Sequence, residues 1–404
     1  MRFRNWATLG AAALLMLAAP ALAQKVADRV AFSESLFSGR EQYENFNRID
    51  EIFPVVTVAA SSRPQPWLRA AAKPLPTSFG FNGRKVDSQT FLRETDTVAL
   101  LVIKDGKIRF EQYWLTGGPK VRWMSMSVAK SFTSTLLGMA IADGKIGSVE
   151  DPITTYLPEL AGTAYEGVRI KDALQMSSGA FWREDYSDRA SSIFVLAEAM
   201  ATGSPFAAAP KSITRREHPP GTFNRYNSAE TMVLGMLIER ATGQRLADYM
   251  QTKLWQPLGA EDNANWIVDN TGAAMAFGGL NATARDYARL GELFRLGGKW
   301  QGKQVLPAQW IRDSIVPDAL HLMPGKRSNS DSDMGYGYQW WIPGAGQGDY
   351  SAIGVYNQFV YVNPKARMVI VKLSANSGYG QTNDDTSWRE RESIALFRTI
   401  AKTF

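Results

Sequence analysis

The feature that most restricts the fold is the distance along the chain between its β-patterned segments. Val98 to Ile103 and Ile108 to Trp114 read as two strands around Lys104-Asp105-Gly106-Lys107, and β character returns only at Gly337 to Ile342, Gln358 to Val362 and Met368 to Leu373. Asp-Gly between two β-prone runs predicts a tight hairpin, because both central turn positions favour positive φ. Between the two β regions the pattern is helical, with candidate helices at 127–142, 189–202, 228–242, 246–254 and 283–297, and a further one at 387–403. Gly144 and Gly243 follow apolar periodic runs, where a left-handed residue closes a last helical turn. Strands at both ends must therefore meet in one antiparallel sheet flanked by terminal helices, beside a mostly helical lobe inserted at about 127–310, an α/β (α+β) architecture. A cleft is expected between the two parts. Residues 24–96, with Pro54, Pro64, Pro66, Pro74 and Pro76, read as an irregular arm wrapped over this body and carrying no chemistry.

Stability has to come from burial, because the chain has no cysteine and no disulfide can staple it. Residues 1–23 have the form of a secretory leader: Arg2 and Arg4, an apolar run from Ala7 to Ala19, then Pro20-Ala21-Leu22-Ala23. Cleavage after Ala23 and a periplasmic or secreted location are the expectation. That run is shorter than the roughly 20 residues a membrane span needs, so no stable membrane insertion is expected. The formal net charge is +6, of which Arg2 and Arg4 supply two, and the remaining lysines and arginines are scattered. Nucleic acid is therefore not the expected partner.

Chemistry enters at Ser127-Val128-Ala129-Lys130. Spacing i, i+3 at the start of a helix puts both side chains on one face, within hydrogen-bonding reach. A serine hydroxyl becomes a useful nucleophile only when a neighbouring base takes its proton, and a lysine serves once partial burial lowers its pKa. The amide groups of the helix N-terminus favour negative charge at the same place. Rival constellations are missing. Only His218 and His321 are available for a Ser-His-Asp triad, no Gly-x-Ser-x-Gly elbow occurs, and neither His-Glu-x-x-His nor a Cys/His cluster offers a metal site. No cofactor and no metal are called for. Trp182, Trp340 and Trp341 suit a core as well as a groove.

The neighbourhood of Ser127 supplies the context that a tetrapeptide lacks. Asp151-Pro152-Ile153 through Leu160, Ile170 to Gly179, Pro219-Pro220-Gly221-Thr222-Phe223-Asn224-Arg225-Tyr226-Asn227-Ser228 and Phe277-Gly278-Gly279-Leu280 follow in order. Together these resemble the serine β-lactamase and penicillin-binding-protein superfamily, in its class C-like branch with related esterases and amidases. The resemblance runs from about 97 to 400 and implies a β-lactamase/transpeptidase-like fold. It assigns Tyr226 a share in proton transfer, an ammonium at Lys130 favouring its phenolate, and puts Ser228 at the third position of a Tyr-x-Asn motif. The family's third motif carries a cation before a glycine. Here Ala352-Ile353-Gly354-Val355 has none, so β-lactams and D-alanyl peptides become less favoured substrates. Gly354 still permits close backbone approach, with the amides of Val355 and Ser127 as an oxyanion hole. A narrower resemblance is to 6-aminohexanoate-dimer hydrolases, which implies substrate contact by Tyr186 in the loop Trp182 to Asp188. Glu184, Asp185 and Asp188 would then attract a cationic amine.

The expected function is hydrolysis of a small-molecule ester or linear amide through an acyl-enzyme on Ser127. A β-lactamase or D-alanyl peptidase is the enzymatic alternative, and a catalytically silent binding protein is the alternative of a different class.

Overall fold

The computed structural model describes residues 24–344 and 346–404. The expected leader lies outside the described residues. The main sheet has eight strands, β1 (Leu68–Arg69), β2 (Thr97–Lys104), β3 (Lys107–Tyr113), β4 (Gly335–Tyr336), β5 (Trp341–Ile342), β6 (Tyr350–Gly354), β7 (Gln358–Asn363) and β8 (Met368–Ser374). Their order is β4-β5-β6-β7-β8-β2-β3-β1. The two distant β regions do join: β8 runs antiparallel to β2, with Met368 opposite Lys104 and Leu373 opposite Ala99. Asp105 and Gly106 both take positive φ in the hairpin between β2 and β3, as their residue types require.

The central strands are buried on both faces, which explains their unbroken apolar sequence. Leu101, Ile103, Val360, Val362, Val369 and Val371 face the larger core. Leu100, Val102, Phe359, Tyr361 and Ile370 face the other way, under Leu396, Phe397 and Ile400 of the C-terminal helix. Four helices frame the sheet and the lobe beside it: α1 (Val128–Ala142), α2 (Ser228–Thr242), α3 (Ala284–Arg295) and α4 (Glu390–Thr403). Helix α1 is buried along its whole length from Val128 to Ala140, as the central element of the larger core.

Several expectations need correction. Gly337 to Ile342 is not one strand: only Trp341–Ile342 (β5) is extended, pairing with β4 just upstream, and Gln339, φ 62°, lies in the turn between them. The C-terminal helix is interrupted at Arg389, φ 55°, which separates Asp385–Trp388 from α4. The lobe between the sheet segments also contains strands. Ala264–Ile267 and Leu280–Ala282 of the lobe join Val55–Val58 of the arm and Trp123–Met124 in a second antiparallel sheet, each strand too short for alternation to show in sequence. Trp123–Met124 is an edge strand of that sheet and leads straight into Ser127. The arm is tied to the body by Arg289, buried in α3, whose guanidinium bonds Asp286 (2.8 Å), the Leu258 carbonyl (3.0 Å), the Gln65 carbonyl (2.8 Å) and Glu261 (2.9 Å). No helix among the described residues is long and apolar enough to cross a membrane.

Helix α3 lies on β7 and β8 through Gly291, where a Cβ would sit 2.6 Å from Val369 Cγ1 and 2.9 Å from Val360 Cγ1. Valine is stiff at χ1 and gives little way. We expect Gly291→Ala to lower stability by about 1–3 kcal/mol, overpacking outweighing the gain in helix propensity of about 1 kcal/mol, as read from urea unfolding.

Candidate active site

Strain marks the approach to Ser127. Met126 takes φ 47°, a left-handed conformation that is costly for a side chain with a Cβ, and the chain then enters α1. Ser127 is the N-cap of α1, yet its hydroxyl makes no capping bond. It accepts a hydrogen bond from Lys130 Nζ instead, at 2.9 Å. Lys130 also donates to the Phe277 carbonyl at 2.9 Å and is 1 % exposed. That burial pulls its pKa down to about 8, against an upward push from the charge of Glu184.

Tyr226 precedes α2, whose first turn is capped by Asn227 accepting from the Ala229 amide. Its ring stacks on Trp341, centroids 5.2 Å apart, and the Lys130 ammonium lies 5.0 Å from the ring centroid. Burial raises the phenol well above its ordinary pKa, and hydrogen bonding with Ser127 offsets only part of this. The expected phenolate is therefore not favoured: Lys130 stands over the ring face, and desolvation dominates. Tyr226 thus holds its proton more firmly than a free phenol, whereas burial loosens that of Lys130.

A Cβ on Gly354 would come 2.7 Å from the Ser125 carbonyl and 2.9 Å from the Ser127 nitrogen, so only glycine lets β6 approach the nucleophile this closely. Val355 follows on the cleft wall. Among the described residues, no turn, loop or cap hydrogen bond uses the Ser127 or Val355 amide.

The cleft has a volume of about 1140 Å³, with Ser127, Tyr226, Gly354, Val355, Tyr186 and Trp341 in its wall. Ser228 lies just behind that wall, fully buried, and so does not meet the cleft as expected. Its amide and hydroxyl donate to Glu184 at 2.9 and 2.6 Å. Glu184 also accepts from Trp182 Nε1 (2.8 Å) and from the Tyr186 hydroxyl (2.7 Å). In the sequence Glu184 is one of several acidic loop residues, and nothing local signals its task of gathering four donors beside Lys130. Asp185 lines the cleft, whereas Asp188 turns outward to an ion pair with Arg183. Trp340 belongs to the core, against Phe294 and Tyr350. The arm contributes after all: Phe37 stacks on Tyr186 at 4.5 Å and on Tyr356 at 5.2 Å, bracing both sides of the cleft.

An antiparallel sheet flanked by helices, beside a lobe whose central helix starts at a Ser-x-x-Lys facing the cleft, is the β-lactamase/transpeptidase fold. The chain belongs to the beta-lactamase family, whose model matches residues 88–395. It is 34% identical over 337 residues to the 6-aminohexanoate-dimer hydrolase of Paenarthrobacter ureafaciens, across 82% of this chain and 84% of that relative. Among solved structures, a candidate 6-aminohexanoate-dimer hydrolase from Bacillus anthracis superposes with TM-score 0.78 at 25% identity, covering 89% of this chain and 93% of the other. A class C beta-lactamase superposes with TM-score 0.54 at 16% identity over 78% of this chain and 94% of its own, a likeness of fold.

Three outcomes are expected. Lys130 accepts a proton only when neutral, and its neutral share grows as pH rises through about 8. Below that value kcat/KM should rise about tenfold per pH unit, then level off. Because the charge of Glu184 holds the Lys130 pKa up, Glu184→Gln should move this limb to lower pH in a kcat/KM profile. Gly354→Ala should lose about 10²- to 10³-fold in kcat, by forcing the two candidate oxyanion amides apart, with steady-state kinetics as the readout.

Proposed function

We propose that this protein is a serine hydrolase that cleaves linear amides and esters through an acyl-enzyme on Ser127. The observation that carries the reading is the 2.9 Å contact between Lys130 Nζ and Ser127 Oγ, made by a lysine whose pKa burial has brought down to about 8. Neutral Lys130 takes the hydroxyl proton as Ser127 Oγ attacks the substrate carbonyl. The amides of Ser127 and Val355 hold the oxyanion, each donor contributing roughly 3 kcal/mol of transition-state stabilisation. As the tetrahedral intermediate collapses, Tyr226 gives its proton to the leaving nitrogen or oxygen and regains one from Lys130. Water then attacks the acyl group with the same residues acting in reverse.

Two features favour a linear amide over a β-lactam. Ala352 and Ile353 stand before Gly354, so no side-chain cation is available at that point to hold a substrate carboxylate. The cleft lining mixes acidic residues, among them Glu184, Asp185, Asp385 and Glu390, with the cations Arg183, Arg225, Lys326, Arg327 and Arg391, which suits a linear substrate bearing both an amine and a carboxylate. The likeness to the 6-aminohexanoate-dimer hydrolase points the same way. Export to the periplasm or beyond, with a leader ending at Ala23, is part of this proposal.

Turnover of p-nitrophenyl acetate, 6-aminohexanoate dimer and nitrocefin on one preparation tests the substrate class. The expected order is ester, then linear amide, then β-lactam, and nitrocefin turnover above that of the dimer would refute it. Lys130→Ala should reduce kcat/KM for the ester by about 10²- to 10⁴-fold. Near-normal turnover in that variant would remove Lys130 from the role of base.

A further inference from the structure

The two amides assigned to the oxyanion hole come from distant parts of the chain, one from the segment running out of the small sheet and one from the turn between β6 and β7. Gln358, the first residue of β7, is fully buried between them. Its Oε1 accepts from the Trp123 indole at 3.1 Å and from the Ser374 amide at 3.1 Å. Its Nε2 donates to the carbonyls of Ser374 (2.6 Å), Tyr356 (3.2 Å) and Val355 (3.3 Å). Two protons thus serve three carbonyls, the two longer bonds sharing one. The opposite orientation of the amide would set an oxygen against three carbonyls and a nitrogen against two N–H donors, so the arrangement admits one assignment.

What these partners have in common is position. Trp123 begins the short strand that delivers Ser127, and Val355 and Tyr356 form the turn that presents the other amide. That turn is under tension, since Tyr356 and Asn357 take φ 64° and 66°. Without a donor beneath it, the Val355 and Tyr356 carbonyls would be buried and unsatisfied, and the peptide planes would rotate to find partners. A rotation there changes the backbone at Val355 and so disturbs the adjoining Gly354–Val355 peptide, which carries the Val355 N–H.

We propose that Gln358 is a positioning residue: its side-chain amide sets the spacing and aim of the Ser127 and Val355 amides by bonding both arms of the oxyanion hole. The role rests on the serine-hydrolase mechanism proposed for Ser127. It concerns the transition state, because Gln358 is fully buried outside the cleft lining and acts only through the amides that hold the oxyanion.

The test uses Gln358→Met, which keeps the volume and removes the hydrogen bonds, and Gln358→Glu, which keeps the acceptors and removes the donors. Rates of labelling by a fluorophosphonate are followed by intact mass, with kcat, KM and the pH profile for p-nitrophenyl acetate. In both variants the maximal labelling rate and kcat should fall by about 10- to 100-fold while KM stays within about threefold. In the neutral Gln358→Met the midpoint of the rising pH limb should be unchanged, because no charge is added or removed near Lys130. In that variant a wild-type labelling rate and kcat, a loss confined to KM, or a displaced pH midpoint would each overturn the role. Should neither variant fold, Trp123→Phe removes the indole donor to Gln358 along with part of the ring packed near Phe46, and an unchanged kcat there also overturns it. Absence of any adduct on the wild type defeats the serine-hydrolase reading itself, whereas normal labelling of the wild type and equal labelling of Gln358→Met defeats only the positioning role.

Discussion

A lysine side chain with almost no access to water, held between one hydroxyl and one carbonyl, is the interaction on which the candidate site depends. An ammonium so placed is poorly solvated, and desolvation lowers its pKa toward the range where a neutral amine is populated. The i, i+3 spacing would survive in any helix carrying this sequence, but the burial would not. It requires α1 to run through the middle of the larger core and the Phe277 carbonyl to close over Nζ. Remove either and Lys130 reverts toward an ordinary charged lysine that holds its proton.

The second requirement is a very close approach between the main sheet and the segment carrying Ser127. Gly354 meets it by having no side chain, and the register of β6 puts that glycine opposite Gln358. A slip of one residue would bring Ile353 against the nucleophile and turn the other face of the strand toward the cleft. The same strand thus decides both that an oxyanion hole can form and that no cation stands beside it. Lactamase-like architecture and a site without that cation are therefore compatible.

Around this centre the loops are ordered by polar and aromatic contacts instead of by regular structure. Glu184 draws Ser228, Trp182 and Tyr186 to one carboxylate, and its charge pushes up the pKa of Lys130. Phe37, from an arm that carries no motif, stacks between Tyr186 and Tyr356, and its amide donates to the Tyr356 hydroxyl at 2.6 Å. Both sides of the cleft are thereby held by one residue near the start of the described chain.

Local pattern was enough for the parts of the molecule that depend on neighbours in sequence. Asp105-Gly106 specified its hairpin through backbone sterics, the apolar runs of β2, β7 and β8 specified buried strands, and Ser127 with Lys130 specified a pair one helical turn apart. Gly354 could be singled out because its motif resembles one that needs a glycine. Tyr226 is legible in the same way, but its protonation is not, because a pKa depends on burial and on which part of the ring a charge faces. Gln339 and Arg389, which interrupt a strand and a helix, take left-handed conformations that their residue types do not announce. Glu184, Phe37, Phe277 and Gln358 act through partners far away in the chain, and no spacing records such contacts. The amino-acid sequence by itself determined which elements form and which side chains could react. The tertiary structure alone decided which of them are dry, which are charged and which face one another, since solvation and distance between remote segments exist only after packing.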